Sequence, residues 1–372
     1  MHRRDFLRGG ALALATALAP RRVLADGTLL RHVGSPQDLA TPLEYLDRLI
    51  TPTDVFFVRS HFGPPALDPG RKVRVEGDSV LELGVEDLKA FPEVTVTAVL
   101  QCAGNGRALQ RPRVPGVQWV HGAMGQATFT GVRLADVLAR AGVPPDALWV
   151  HTEGWDRPPM PTTPRFLRAL TVGRALDPTT LLAYRMNGAP LTLAHGAPLR
   201  LVVPGLPGDE WTKWVRTIRL SADEPDGFYW KTAYRYPTHP VQPGAAVPPA
   251  EMRPVGRLPV RSVIARPLDG ARLRVGRAEV AGVAFSGLAP VDRVEVSVDG
   301  GARWTRAALE GEAAPGRWQV FRAPFEVRTP GRYAAVARAF DARGNAQPQT
   351  AAWNPSGYLW NAWHVVGFEV TA

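Results

Sequence analysis

The single cysteine of this 372-residue chain, Cys102, lies in "QCAGNGR", where an alternating run that starts at Val94 breaks into glycines. A lone thiol closes no intrachain disulfide, so Cys102 is a buried bystander, an intermolecular bridge, a reactive thiol or a metal ligand. Two features favour ligand chemistry. Gly104 and Gly106 permit positive φ and Asn105 tolerates it, so the backbone can turn at a strand end and come close to a bulky ligand. Arg107 follows at once, and a neighbouring cation favours the thiolate that binds metals. The chain's scattered arginines more often mark a solvated surface, although an anionic substrate or cofactor would also welcome them.

The elements that must position these groups fall into two kinds. Thr41 before Pro42, with Glu44 and the spacing of Leu46, Leu49 and Ile50, predicts a capped helix. Val55–Val58 reads as a buried strand with Arg59 and His61 at its exit. Leu134, Val137, Leu138 and Ala141 predict a second helix closed by Gly142 and Pro144, and "ALWVHTEG" and "PLRLVVPG" read as strands. From residue 251 helical periodicity gives way to short β-rich runs between turn signals, including a hairpin in which Val294, Val296 and Val298 alternate before Asp299 and Gly300. The fold class is therefore α+β: a mixed catalytic domain over 26–250, a Pro-rich linker within "YPTHPVQPGAAVPPAEMRP", and an all-β immunoglobulin-like sandwich over 251–372.

Residues 1–25 carry Arg3 and Arg4, an apolar stretch from Ala11 to Ala19 and a small-residue cleavage site at Val23–Ala25, the pattern of a twin-arginine signal peptide. The expected location is periplasmic, reached already folded, a route that suits a cofactor enzyme. No apolar run reaches the roughly 18 residues of a transmembrane helix. The formal net charge is +10, almost all the basic groups being arginines, with no basic cluster interleaved with aromatics, so no nucleic-acid partner is expected.

Several motifs in one order resemble the sulfite oxidase family of molybdopterin enzymes: "FFVRSH", "QCAGNGR", "NGAPLTLAHGAPLRLVVPG" followed by "WTKWV", and "WNPSGYLWNAWHVV" near the C-terminus. The resemblance runs from about residue 40 onward. It implies a molybdenum atom held by one molybdopterin and by the Cys102 thiolate, a soft ligand that tunes the metal. It further implies cofactor contacts from Phe57, Arg59, His61, Asp156, His195, Arg200, Thr212 and Lys213. On the substrate side it implies Arg59 and Arg107 lining an anion pocket, Trp119 beside it, and Tyr234, or Tyr236 after a small shift of alignment, orienting the substrate.

What the resemblance implies chemically is oxidation of sulfite to sulfate by oxygen-atom transfer, with electrons passing to an external c-type cytochrome. The chain has no C-x-x-C-H haem attachment and no iron-sulfur cysteines, so no haem of its own is expected. A homodimer through the C-terminal domain is also implied. Two positions depart from the family: Ser356 stands where its sulfite enzymes usually carry arginine, and Pro115 where they often carry a basic residue. A less cationic pocket keeps open another sulfur substrate, as in a sulfane dehydrogenase or an S-oxide reductase. A cofactor-free binding module with an inert Cys102 is the rival from another class.

Overall fold

The strand Glu93–Gln101, which delivers Cys102, is paired with Met124–Arg133 in unbroken antiparallel register from Glu93 opposite Val132 to Gln101 opposite Met124. Its first half alternates and is partly exposed, whereas Ala98, Val99, Leu100 and Gln101 are all buried. The reason is that both faces are covered at that end. Ala98 and Leu100 join the core of the N-terminal part, while Val99 packs with Val263, Val283 and Phe285 from the C-terminal part.

The computed structural model describes residues 30–34, 37–66 and 68–372; the signal-peptide reading falls outside them. The described chain is mostly β. Residues 73–221 form two five-stranded sheets, one built on Glu93–Gln101, Met124–Arg133 and Leu181–Met186, the other on Val73–Glu76, Val215–Ser221 and Trp149–Gly154. The longest helix among the described residues is Leu134–Ala141, whose Leu134, Val137, Leu138 and Ala141 are buried as their spacing predicts. It ends at Gly142, whose φ of +79° is costly for any other residue; a Cβ there would also lie 2.6 Å from the Asp78 carboxylate. The expected α+β balance is thus corrected toward β.

Beyond residue 260 a four-stranded and a five-stranded sheet face one another across a core of Val280, Phe321, Ala335 and Phe368, among others, forming a two-layer sandwich. The hairpin holds, with Val291–Ser297 paired to Thr305–Arg306. Within the Pro-rich connection, Arg235–Pro237 pairs with Met252–Pro254, so the intervening loop is closed at its base.

Two local expectations differ. The segment after Thr41 makes only a 3-10 turn, Leu43–Tyr45, with Pro42 and not Thr41 at its N-cap. The Thr41 backbone N–H is taken by the Gly122 carbonyl at 2.9 Å, and Leu46 inserts into the core shared with Phe285 and Trp318. Tertiary burial of one leucine, worth about 1.5–3 kcal/mol, outweighs a short helix. Val55–Val58 is buried as expected but is not a strand: Thr53–Val55 is a 3-10 turn, and only Val58 bridges to Leu39. A continuous apolar run reports burial and not conformation.

Candidate active site

Past Gln101 the backbone turns: the Cys102 N–H bonds to the Ala123 carbonyl at 3.0 Å, and the Asn105 N–H returns to the Cys102 carbonyl at 2.9 Å. Asn105 stitches this loop with its side chain, donating to the His121 carbonyl and Gln101 Oε1 and accepting from the Ala123 N–H. The two glycines serve different ends. Gly106 has φ +101°, whereas Gly104 is needed for closeness, since a Cβ there would lie 2.8 Å from the Arg107 guanidinium. Cys102 is half-buried. Burial pushes its thiol pKa up, while Arg59 and Arg107 pull it down.

Cys102 opens onto a cavity of about 750 Å³ with cations at two places on its wall. At one, Arg59 pairs with Asp38 at 3.3 Å, donates to the Ser60 carbonyl and reaches His61 Nδ1 at 3.3 Å. His61 Nε2 lies 2.7 Å from the Tyr234 hydroxyl. Burial first, then Arg59 and Arg168, lower the His61 pKa to about 3, so the ring is neutral at physiological pH. With Nδ1 accepting from Arg59, the ring proton sits on Nε2 and is donated to Tyr234. Tyr234 has φ +55° and stacks on Tyr358 with ring centroids 5.4 Å apart.

At the other place, Arg200 Nη1 donates to the His195 carbonyl, Lys213 Nζ donates to the Ala194 carbonyl, and Thr212 is tied to Thr152. Arg200 Nε is buried with no hydrogen-bond partner. Burial lowers Arg200 to about 9 and Lys213 to about 7, and raises Asp156 to about 6 against the pull of Lys213. His195 is likewise held near 3, chiefly by burial.

Phe57, Arg59, His61, Cys102, Asp156, His195, Arg200, Thr212 and Lys213 all line this one cavity, and so does Tyr234. Tyr236 instead accepts from Arg253 at 2.6 Å, away from that wall. Two expectations are corrected. Arg107 does not line the cavity: its guanidinium donates to the Ser356 and Val117 carbonyls and lies over the Tyr358 ring, because three acceptor surfaces close around it. Trp119 is fully buried in the hydrophobic core and does not flank the cavity. Sequence reasoning missed Phe166, Trp211, Trp214 and Asp209 on the wall, and Asp38 as the partner of Arg59. It also missed Arg168, although a lone arginine in the apolar run "FLRAL" is a signal that a buried ionic partner exists.

Residues 61–229 match the family described as the oxidoreductase molybdopterin binding domain, and 253–371 match the Mo-co oxidoreductase dimerisation domain. Sulfite oxidase of Gallus gallus is 37% identical over 359 residues, covering 90% of this chain and 78% of that protein. The mitochondrial sulfite oxidase of Mus musculus is 36% identical over 90% of this chain. This chain belongs to the sulfite oxidase family of molybdopterin oxidoreductases. It spans 64% of the length of the mouse relative. Among solved structures, the sulfane dehydrogenase SoxCD from Paracoccus pantotrophus superposes with a TM-score of 0.78 at 29% identity, covering 90% of this chain and 85% of that one.

The site suits the family's cofactor on its own chemistry. Arg200 and Lys213 are desolvated, neither has a hydrogen-bonded carboxylate, and the orphaned Arg200 Nε calls for an acceptor such as a phosphate oxygen. Gly196, at φ +110°, lets the chain pass where a Cβ would press on Arg200 and Lys213 at 3.0 and 3.2 Å. Cys102 offers the chain's one soft thiolate ligand to molybdenum.

Proposed function

We propose that this protein oxidises a small sulfur oxyanion, sulfite in the first instance, to sulfate, and passes the electrons to an external c-type cytochrome. The observation that carries the reading is the placement of Arg59, the His61-anchored Tyr234 and Cys102 on one cavity that Arg200 and Lys213 also line. When bound, molybdopterin with its molybdenum supplies the two-electron redox chemistry and oxygen-atom transfer. Cys102 holds the metal, while Arg200 and Lys213 hold the phosphate, with Phe57, Asp156, His195 and Thr212 closing around the pterin. Arg59, its charge partly offset by Asp38, binds the substrate oxyanion. Tyr234, accepting a hydrogen bond from His61 Nε2–H, keeps its own hydroxyl proton for the substrate.

The same reading takes the chain as an exported periplasmic protein without haem, divided near residue 250, with an immunoglobulin-like C-terminal sandwich that forms a homodimer. Its support is the leader pattern, the absence of haem-attachment cysteines in the sequence and the matched dimerisation domain. The test is sulfite-dependent reduction of cytochrome c by molybdenum-loaded protein. Turnover supports the reading, and none from fully loaded protein sinks it.

One observation favours a second substrate. With Arg107 tied to the Ser356 carbonyl, Arg59 is the cation beside Tyr234 on the cavity wall, which suits a sulfur substrate of lower charge, such as a carrier-bound sulfane. Loaded protein that turns over a persulfide and ignores sulfite would establish this alternative.

A further inference from the structure

Arg168 crosses the back of the site fully buried, its guanidinium between the Trp230 and Tyr234 rings at 4.9 and 5.0 Å and donating to the Tyr229 carbonyl. A single nitrogen, Nη2, serves two carboxylates: Asp209 at 2.9 Å and Glu210 at 2.5 Å. Both carboxylates are buried, and each keeps one oxygen without a partner, Asp209 Oδ1 and Glu210 Oε2. Asp209 also lines the cavity that holds Arg59, Arg200 and Lys213.

The charges do not balance. One guanidinium faces two buried carboxylates, and a buried net charge is costly enough that such a group takes up a proton instead. The groups facing Glu210 are Arg168 and Asp209; those acting on or sensing Asp209 include Arg168, Tyr234, Tyr358 and Cys102. We propose that the Asp209–Glu210 pair determines specificity: sharing one proton against the single Arg168 guanidinium, it keeps this cluster neutral so that the cavity accepts anions. When the shared proton leaves, the wall carrying Asp209 gains a full negative charge and the cavity turns against anionic ligands. Burial raises both carboxylates against the pull of Arg168. The part concerning substrate rests on the reading of the site as an oxyanion pocket; the proton shared by the pair does not.

Infrared spectroscopy of the purified holoenzyme tests the proton directly. The expected result is the carbonyl stretch of a protonated carboxyl at neutral pH, shifted by deuterium exchange and lost as pH rises. It should vanish both in Glu210→Gln and in Asp209→Asn, because either change leaves one carboxylate against Arg168 and that one ionises. A wild-type spectrum without the band, or variant-minus-wild-type difference spectra that show no loss of it, overturns the proposal; the absorption of Asp38 and Asp156, raised to about 6, cancels in the difference. Sulfate keeps its charge across the neutral range, so its dissociation constant, measured by calorimetry, reports the electrostatics. Its binding is expected to weaken by about tenfold or more across the loss of the band, a factor within reach of one added unit charge at a partly screened site. In Glu210→Gln the dependence should be shallower, and equal slopes in both proteins overturn the gating role. Failure of the oxyanion reading shows separately, as loaded protein that keeps the band but oxidises no sulfur oxyanion.

Discussion

His61 Nε2 and the Tyr234 hydroxyl are 2.7 Å apart, and Arg59 lies 3.3 Å from the other ring nitrogen of His61. That chain fixes the direction of donation. Arginine has no acceptor, the neutral imidazole has one, and the Tyr234 oxygen therefore accepts a hydrogen bond from Nε2–H while keeping its own proton. Burial holds the Tyr234 pKa well above its ordinary value, so the phenol stays protonated.

Tyr234→Phe removes the hydroxyl and leaves the stack on Tyr358. Steady-state kinetics on protein of matched molybdenum content are expected to show kcat lowered at least tenfold. Catalysis by a positioned proton donor commonly contributes about 10²–10⁴-fold. Unchanged kcat would remove Tyr234 from the chemistry.

Cys102→Ser is expected to abolish turnover and to leave melting close to wild type, since the loop is held by Asn105 and by backbone bonds rather than by the thiol. Metal analysis and thermal unfolding check both halves. An active, molybdenum-replete variant would remove the ligand assignment.

Arg200→Met separates folding from cofactor binding. A buried guanidinium with an orphaned Nε costs desolvation in the cofactor-free protein, so the melting temperature of that form is expected to hold or rise. Cofactor affinity should fall roughly 10- to 100-fold, the loss expected from charge-assisted bonds of about 1.5–3 kcal/mol. Cofactor content after dialysis, measured fluorimetrically, gives the comparison.

The cofactor-free protein should be acid-labile. Burial lowers His61, His195 and His364 to about 3 from 6.5, and His121 well below it. Between those values the unfolded chain binds more protons than the folded one, so these groups lower stability as pH falls from 6.5 toward 3. Asp38 and Asp156, raised to about 6 from 3.8, work in the opposite sense between 6 and 3.8. The raised Asp209–Glu210 pair adds to the carboxylate side and the lowered His151 to the histidine side; five lowered histidines against four raised carboxylates, with the larger printed shifts on the histidines, leave a net loss. Melting temperature is expected to drop by more than about 5 °C between about pH 7 and pH 5, and a flat profile would contradict the buried neutral histidines.

What was legible in the sequence was local. "QCAGNGR", "HGAPLR" and "WTKW" each bind their functional residues to a turn within a few positions, so naming the motif placed the side chains. Arg107 shows the limit: it lies in the cysteine motif, but its guanidinium is captured by the Ser356 carbonyl, 249 residues away in sequence. Spacing cannot report where a long side chain points. Thr41 and Val55–Val58 failed for a related reason, since tertiary burial decided their conformation, Leu46 in the core shared with the C-terminal part and Phe56 and Phe57 within the N-terminal core. Asp209 and Glu210 are neighbours in one 3-10 turn, but Arg168 reaches them from a strand 41 and 42 residues earlier, and that meeting exists only in the fold.

Ser356→Arg tests the substrate directly. The Ser356 carbonyl holds Arg107, a backbone role that any residue keeps, and the hydroxyl donates only to the Arg235 carbonyl at 2.8 Å. The position is half-buried, so a longer side chain has a path toward solvent and the change need not disturb the fold. If sulfite is the substrate, a cation added near Arg107 and Tyr358, whose ring stacks on Tyr234, should lower KM for sulfite a few-fold with kcat little changed, by attraction of a dianion across a partly screened distance. That gain should shrink as ionic strength rises. If the natural substrate carries less charge, the same variant gains nothing on that substrate, and an unchanged KM for sulfite would move the assignment to a sulfane or another weakly charged sulfur compound held by Arg59 alone.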